Sequence, residues 1–370
     1  MSILTEKLYI CKVPYRTRQT ETPDMDSETD PEAMTSKESL QTISERTGYS
    51  VSTVSRVLAG KGEQYRIGRR AIETITAEAQ ACNYRPDLIA KGLRTRKTNT
   101  IGLTVPGIDN PFFSNLASII TCHLKKHGYN ILLADSMEDA RMEADALNSF
   151  LSRKVDGIIA VPVGESPEML ERISRSVPVV LIDRYFPDTT LPYVCTDNYY
   201  GGLSATRHLI RKGYRNLLAI QGVLTSMPNK ERVRGFEDAV RNSGEKDIRY
   251  AVTGDGFSSE NGYESTMKVL ESGNPPDAIF AFSTTIMLGA LTAIREKGLR
   301  IPDDIGIISF DNNRFLDYLD PPITRIEQPA PQIGRIATDM LVKMIEGSQM
   351  EDSMEGQISI RPFLVEGRSC

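Results

Sequence analysis

The sequence predicts a two-part protein, in which a small all-α head precedes a two-lobed, doubly wound α/β body. Three observations carry this. At 370 residues the chain exceeds what one ordinary core organises, so two or three domains are expected. Its charge is divided, with a net +6 over residues 36–97 against −8 over residues 98–370, inside an overall −5. Its apolar pattern also changes at a seam running from Asn83 to Leu103. Helical spacing precedes the seam, and short apolar runs alternating with amphipathic stretches follow it, as in βαβ units. A basic head on an acidic body suits a polyanion partner for the head alone. A solvated charged face would give the same charge, so the motifs must decide.

Taken in order, residues 1–35 carry a net −3 and pass into a polar, acidic, aperiodic run, Gln19 to Ala33, expected to be disordered. The helical pattern begins only after Met34, so Met34 is the expected working start and the extension a misassigned one. Residues 36–84 form the expected head. Ser39 can cap a helix whose Leu40, Ile43 and Ser44 share a face, and Gly48 supplies the left-handed residue that ends it. Ser50 can cap a second helix with Val54, Val57 and Leu58 inward and Val51, Ser52, Ser55 and Arg56 outward. Two short helices joined by a glycine turn, with small polar groups and an arginine outside, suit a helix-turn-helix in a DNA major groove. Arg56 can pair with guanine O6 and N7. Val51 and Ser52 can touch base edges or a thymine methyl, and Thr53 and Ser55 can bond phosphates. A third helix, Arg69 to Cys82, closes this domain through Ala71, Ile72, Ile75, Ala79 and Cys82.

Residues 85–98 form the expected hinge. Pro86 fits a first helical position and Asp87 the first turn, and Leu88, Ile89, Ala90 and Leu93 give about two turns of apolar surface. Helices below roughly 12 to 15 residues are marginal in water, and Gly92 weakens this one further. Helix here is therefore expected only when something docks against it.

At this point the residues resemble the LacI/GalR transcription regulators. The resemblance is carried by Val51-Ser-Thr-Val-Ser-Arg-Val-Leu-Ala-Gly-Lys61, by Asn83-Tyr-Arg-Pro with Ala90 and Leu93, and by Thr98-Asn-Thr-Ile-Gly-Leu103. It extends over nearly all of residues 36–370. It implies a homodimer on double-stranded, pseudo-palindromic operator DNA, with paired hinge helices that wedge Leu93 into the minor groove. Apolar wedges of this kind unstack a base step and bend the duplex. Departures are Thr42, where an acidic residue is usual, Gly68 in place of a serine cap, and Gly92 inside the hinge.

The body, residues 99–370, offers apolar strand candidates at 100–105, 130–135, 157–162, 178–183, 193–196, 216–221, 249–253, 278–283 and 305–311. These are too many for one comfortable sheet, so two lobes are expected, about 99–196 with 328–348 and about 197–325 with 356–370. The resemblance implies the same fold, that of type I periplasmic sugar-binding proteins crossed three times by the chain. The crossings are expected near Asp197, near Arg325 to Gln328, and around 347–356. Ligands in such sheets lie beyond the carboxyl ends of the strands. Asp109-Asn-Pro-Phe-Phe113, Asp183-Arg184, Asp197-Asn198, Arg232, Ser283-Thr284, Asp311 and Gln328 fall there. Singly, the phenylalanines read as core and the aspartates as caps or turn formers. Together they offer hydrogen bonds to hydroxyls and rings to apolar sugar faces. The family's pocket is resembled at Asn110, Phe112, Phe113, Asp183, Arg184, Arg232, Asp311 and Gln328, while Ser283-Thr284 replaces the usual Asn-Asp.

Other classes are argued against. No apolar run is long enough to span a bilayer and no secretion signal opens the chain, so a cytoplasmic protein is expected. Cys11, Cys82, Cys122, Cys195 and Cys370 are scattered and lack metal-site spacing. His123 and His127 lie at i, i+4 without the Glu-x-x-His context of a metal site; with His208 they read as surface helix residues. Ile101-Gly-Leu-Thr-Val-Pro-Gly107 supplies no dinucleotide fingerprint, Gly254-Asp-Gly256 lacks its third glycine, and no phosphate-loop lysine motif occurs. Neither enzyme nor cofactor is expected. The expected function is a DNA-binding regulator, which the resemblance implies is a repressor, controlled by a carbohydrate-like effector held between the lobes. The alternative is a sugar-binding receptor without a DNA role. With no leucine-heptad tail after the last strand, a dimer is favoured over a tetramer.

Overall fold

A computed structural model describes residues 39–84, 97–347 and 356–370. Met34, Ala90, Gly92 and Leu93 lie outside the described residues. The chain divides into two compact units, Met1–Pro86 and Asp87–Cys370.

In the first unit α1 spans Leu40–Thr47, α2 Val51–Leu58 and α3 Arg69–Ala81. Ser39 caps α1 by accepting from the Thr42 amide at 3.2 Å, and the Thr42 hydroxyl accepts in return from the Ser39 amide. Thr42, a departure from the resembled pattern, thus closes a capping box with the shorter side chain. Gly48 ends α1 at φ 76°. Ser50 caps α2 through the Thr53 amide, whereas Gly68 gives α3 no side-chain cap. Ile43, Val54, Val57, Ile75 and Ala79 form the core of the unit.

The second unit holds two six-stranded sheets. The first contains β1 (Thr100–Val105), β2 (Asn130–Asp135), β3 (Gly157–Ala160), β4 (Val179–Ile182), β5 (Tyr193–Thr196) and β11 (Gln357–Ile360), in the order β11-β5-β4-β3-β1-β2 and parallel throughout. The second contains β6 (Asn216–Ile220), β7 (Arg249–Thr253), β8 (Ala278–Ala281), β9 (Gly306–Phe310), β10 (Thr324–Glu327) and β12 (Phe363–Val365), in the order β12-β10-β9-β8-β6-β7. Only β12 runs antiparallel to its neighbour there. The helices are α4 (Pro111–Lys126), α5 (Ala140–Ser152), α6 (Glu168–Ser174), α7 (Asn198–Arg211), α8 (Met227–Arg241), α9 (Ser259–Leu270), α10 (Thr284–Glu296) and α11 (Ala330–Glu346). Strands such as Val-Val-Leu-Ile and Gly-Ile-Ile-Ser-Phe are buried along their whole length, as parallel strands covered on both faces must be.

Two expectations need correction. The third crossing falls at Arg361-Pro362 rather than at 347–356, because β11 pairs with β5 of the first sheet and only β12 returns to the second. Four and three residues long, with every second residue of β11 exposed, these edge strands carry too little apolar signal to stand out. His208 is buried, not on the surface, since α7 is covered by α8 on one side and by strands of the second sheet on the other.

No helix among the described residues is long and apolar enough to cross a membrane. Those residues also contain no cluster of side chains able to hold a metal ion, and His127 faces Asp339 instead.

Candidate functional site

In each sheet the strand order reverses, between β1 and β3 in the first and between β6 and β8 in the second. Side chains from the carboxyl ends on both sides of each reversal converge on a cleft of about 300 Å3. Its walls include Asn110, Phe112, Phe113, Asp183 and Arg184 from the first lobe, and Arg232, Ser283, Asp311 and Gln328 from the second and the β10–α11 crossing.

Each side chain has an identifiable holder. Asn110 caps α4, accepting from the Phe112 amide at 3.0 Å, and Pro111 opens the helix. This turns Phe112 and Phe113 inward as an edge-to-face pair, centroids 5.1 Å apart. Ser283 caps α10 through the Ile286 amide. Asp183 and Asp311 follow β4 and β9 in the left-handed region, at φ 62° and 77°. Asp tolerates that conformation better than most residues, and it turns each carboxylate sharply away from its strand.

Arg232 is 3% exposed and is placed by the packing of α7 on α8. A Cβ at Gly202 would lie 2.4 Å from the Arg232 carbonyl oxygen, and one at Gly235 would lie 2.2 Å from that of Tyr199. Only glycine lets the two backbones approach so closely. The Arg232 guanidinium then lies over the Phe310 ring at 3.6 Å. Its Nε donates to Asn198 Oδ1 at 2.8 Å and its Nη1 to the Phe282 carbonyl.

Gln328 links both sheets, accepting from Thr196 Oγ1 and donating to Asp311 Oδ1, each at 2.5 Å. Asp311 also accepts from the Thr284 amide at 3.5 Å. Burial raises the Asp311 carboxyl above its usual range, against the pull of Arg232, Gln328 and Thr284. Asp183 is pushed up to about 6, again by burial, with Arg232 and Arg184 opposing. Its buried Oδ1 accepts no hydrogen bond from the described residues. Burial also lowers Arg232.

Nine of the ten residues expected for this site line the cleft. Asp197 does not; it caps α7 by accepting from the Tyr200 amide at 2.8 Å, the turn-forming role open to any aspartate there. Phe257 and Pro228 line the cleft without having been anticipated. Phe257 follows Gly254-Asp-Gly256 in a loop without periodicity, so no sequence signal marked it.

In the first unit, α2 presents Val51, Ser52 and Arg56 to solvent and keeps Thr53 and Ser55 half-buried. Arg56 stacks over Tyr65 at 4.3 Å. Lys61, Arg66, Arg69 and Arg70 are exposed, and no acidic residue lies in the first turn of α1, α2 or α3. Helix N-termini without acidic residues, beside exposed arginine and lysine, suit phosphate oxygens.

A basic helix-turn-helix unit and a body with a buried polar cleft between two doubly wound lobes define a DNA-binding regulator that senses a small molecule. Residues 98–366 match the family model described as periplasmic binding proteins and sugar binding domain of LacI family. The chain is 32% identical to catabolite control protein A of Priestia megaterium, over 84% of this chain and 94% of that one. It is 30% identical to the ribose operon repressor of Halalkalibacterium halodurans, over 84% and 92%. Among solved structures it resembles a periplasmic binding protein/LacI transcriptional regulator from Alkaliphilus metalliredigens complexed with D-xylulofuranose. That match has a TM-score of 0.64 and 30% identity, over 73% of this chain and 98% of that one. The chain belongs to the LacI family of transcriptional regulators, and it is not an enzyme.

Proposed function

We propose that this regulator binds a pseudo-palindromic operator as a homodimer in the cytoplasm, and that a small carbohydrate-like effector in the inter-lobe cleft controls its affinity. The observation that carries this reading is the cleft chemistry. Carboxylates from equivalent strand ends of both lobes, Asp183 and Asp311, stand beside Phe112, Phe113 and Phe257. Carboxylates accept from sugar hydroxyls, and aromatic rings cover the apolar faces of sugars. The D-xylulofuranose bound by the Alkaliphilus relative supports the ligand class. Effector binding favours one arrangement of the lobes and so biases the hinge segment, where Ala90 and Leu93 carry the minor-groove pattern. A coupling of about 1 to 3 kcal/mol, 5- to 150-fold in operator affinity, suffices for such control.

On the DNA side, Val51, Ser52 and Arg56 read bases, while Thr53 and Ser55 bond phosphates. The exposed face of α2 favours this over a receptor without a DNA role. Arg56→Ala should cost roughly 1 to 3 kcal/mol of operator affinity and relax preference at one position per half-site. Binding measured against a randomised operator library checks it, and unchanged preference would count against this register. A thermal-shift screen of sugars tests the effector side, since a ligand that binds only the folded state raises its melting temperature.

A further inference from the structure

Resting on the reading of the cleft as the effector site, we infer that it selects neutral polyhydroxylated ligands over their phosphate esters and sugar acids, and that Glu138 sets this preference. An anion would be expected to seek the two arginines of the cleft, but Arg184 gives both terminal nitrogens to Glu138, and Arg232 gives its Nε and Nη1 to the protein. Arg184, 5% exposed, is held by Glu138 at two points, Nη1 to Oε2 at 2.7 Å and Nη2 to Oε1 at 2.5 Å. Two-point pairing occupies the fork of donors with which a guanidinium would take a phosphate or carboxylate.

Glu138 is built into that position. It follows Met137 in a turn where both residues take left-handed backbones, at φ 50° and 56°, and its amide donates to the Pro106 carbonyl at 3.0 Å. Arg232 spends its Nε on Asn198 and its Nη1 on the Phe282 carbonyl while lying flat on Phe310.

Against these two cations stand more carboxylates. Asp183 and Asp311 line the cleft, Glu138 closes Arg184, and the buried Glu143 lies near enough to feel the charges of both Arg184 and Glu138. Glu143 Oε2 accepts from the Val163 and Gly164 amides at 3.2 and 3.1 Å, and its Oε1 accepts from none of the described residues. Lys230 is exposed and lines an adjoining cavity of about 720 Å3 that shares Arg184, not this cleft. An anionic ligand here would meet more carboxylates than cations, two of them, Asp183 and Asp311, buried in the cleft wall. A hydroxyl would meet acceptors, above all Asp183 Oδ1.

The test is a melting-temperature and calorimetric comparison of the full chain with D-ribose, D-xylulose, D-glucose and D-galactose, each beside its phosphate ester. The expected result is stabilisation by at least one neutral sugar and at least tenfold weaker binding of its ester, equivalent to about 1.4 kcal/mol. Glu138→Gln should narrow that gap by releasing the Arg184 fork, and adding Arg184→Gln should restore it. An ester that binds as tightly as its parent sugar, or more tightly, overturns the inference and leaves the effector reading standing. Binding of neither class overturns both. If Glu138→Gln fails to fold because Arg184 is left without its counter-ion, the wild-type comparison decides alone.

Discussion

The two lobes repeat one another closely enough that their differences can be read residue by residue. The order β2-β1-β3-β4-β5 of the first recurs as β7-β6-β8-β9-β10 in the second. Asp156, just before β3, accepts from the Thr98 and Asn99 amides at 2.8 and 2.7 Å. Asp277, just before β8, accepts from the Arg215 and Asn216 amides at 2.7 and 2.9 Å. Asp183 after β4 and Asp311 after β9 are both buried, left-handed and raised above the usual carboxylate range. Yet Asp311 accepts from Gln328 and Thr284, whereas the buried oxygen of Asp183 accepts from nothing described. One carboxylate is fixed into the scaffold, and we propose that the other is left for a ligand. Keeping an unpaired buried oxygen is costly, so its retention is better explained by binding than by folding.

The largest effect should come from the fixed carboxylate. Asp311→Ala leaves the Gln328 and Thr284 donors without their acceptor, at roughly 1 to 3 kcal/mol per unsatisfied group. A lowered melting temperature and a lost effector response, with operator affinity nearly intact, are the expected readouts.

Asp183→Asn should do the reverse to stability. It removes a buried charge and breaks no side-chain hydrogen bond seen among the described residues, so it should stabilise the fold at pH 7 by an amount on the order of 1 kcal/mol, while weakening effector binding tenfold or more. The gain has a definite pH window. A carboxyl raised to about 6 contributes stability at low pH that is lost as pH rises through that value. The advantage over wild type should therefore be absent near pH 4 and full above pH 6 in paired thermal melts.

In the wild type, effector affinity should also fall as pH drops below about 6, because protonating Asp183 removes the charged acceptor. Asp311 is raised in the same direction, so it does not compensate. Calorimetry at pH 5 and 7 checks this, with Asp183→Asn as the control.

The smallest effect should separate the other pair of aspartates. Asp156→Ala and Asp277→Ala should each cost roughly 0.5 to 1.5 kcal/mol of stability. Only Asp156→Ala should also blunt the effector's influence on DNA, since Thr98 ends the expected hinge segment and Asn99 opens the body. Equal loss of coupling in both variants would erase the distinction between the lobes.

Most of this architecture is legible in the sequence where burial is two-sided. Parallel strands such as Val179–Ile182 are continuous apolar runs, and the residues after them are polar because they face the cleft. The caps at Ser39, Ser50, Asn110 and Ser283 are legible for the same local reason: a short side-chain oxygen precedes a periodic stretch. What resists reading is set by distant partners. Asp197 and Asp183 look alike in sequence, and only the path of the chain makes one a cap and the other a cleft wall. His208 is buried because its helix is covered both by a neighbouring helix and by strands of the second sheet, which helical spacing alone does not reveal. Phe257 sits in an aperiodic loop, and the short strands β11 and β12 take their identity from their neighbours. The Glu138–Arg184 pair spans 46 positions and left no local mark.

The most direct test of the account is operator affinity, followed by fluorescence anisotropy with and without the sugar that most raises the melting temperature, in wild type and in Asp183→Asn. The account predicts a 5- to 150-fold change on adding sugar to the wild type. It also predicts no change in the variant at the same concentration, although both proteins bind the free operator alike. An undiminished sugar response in Asp183→Asn, or sugar bound to the wild type without any change in operator affinity, would contradict it.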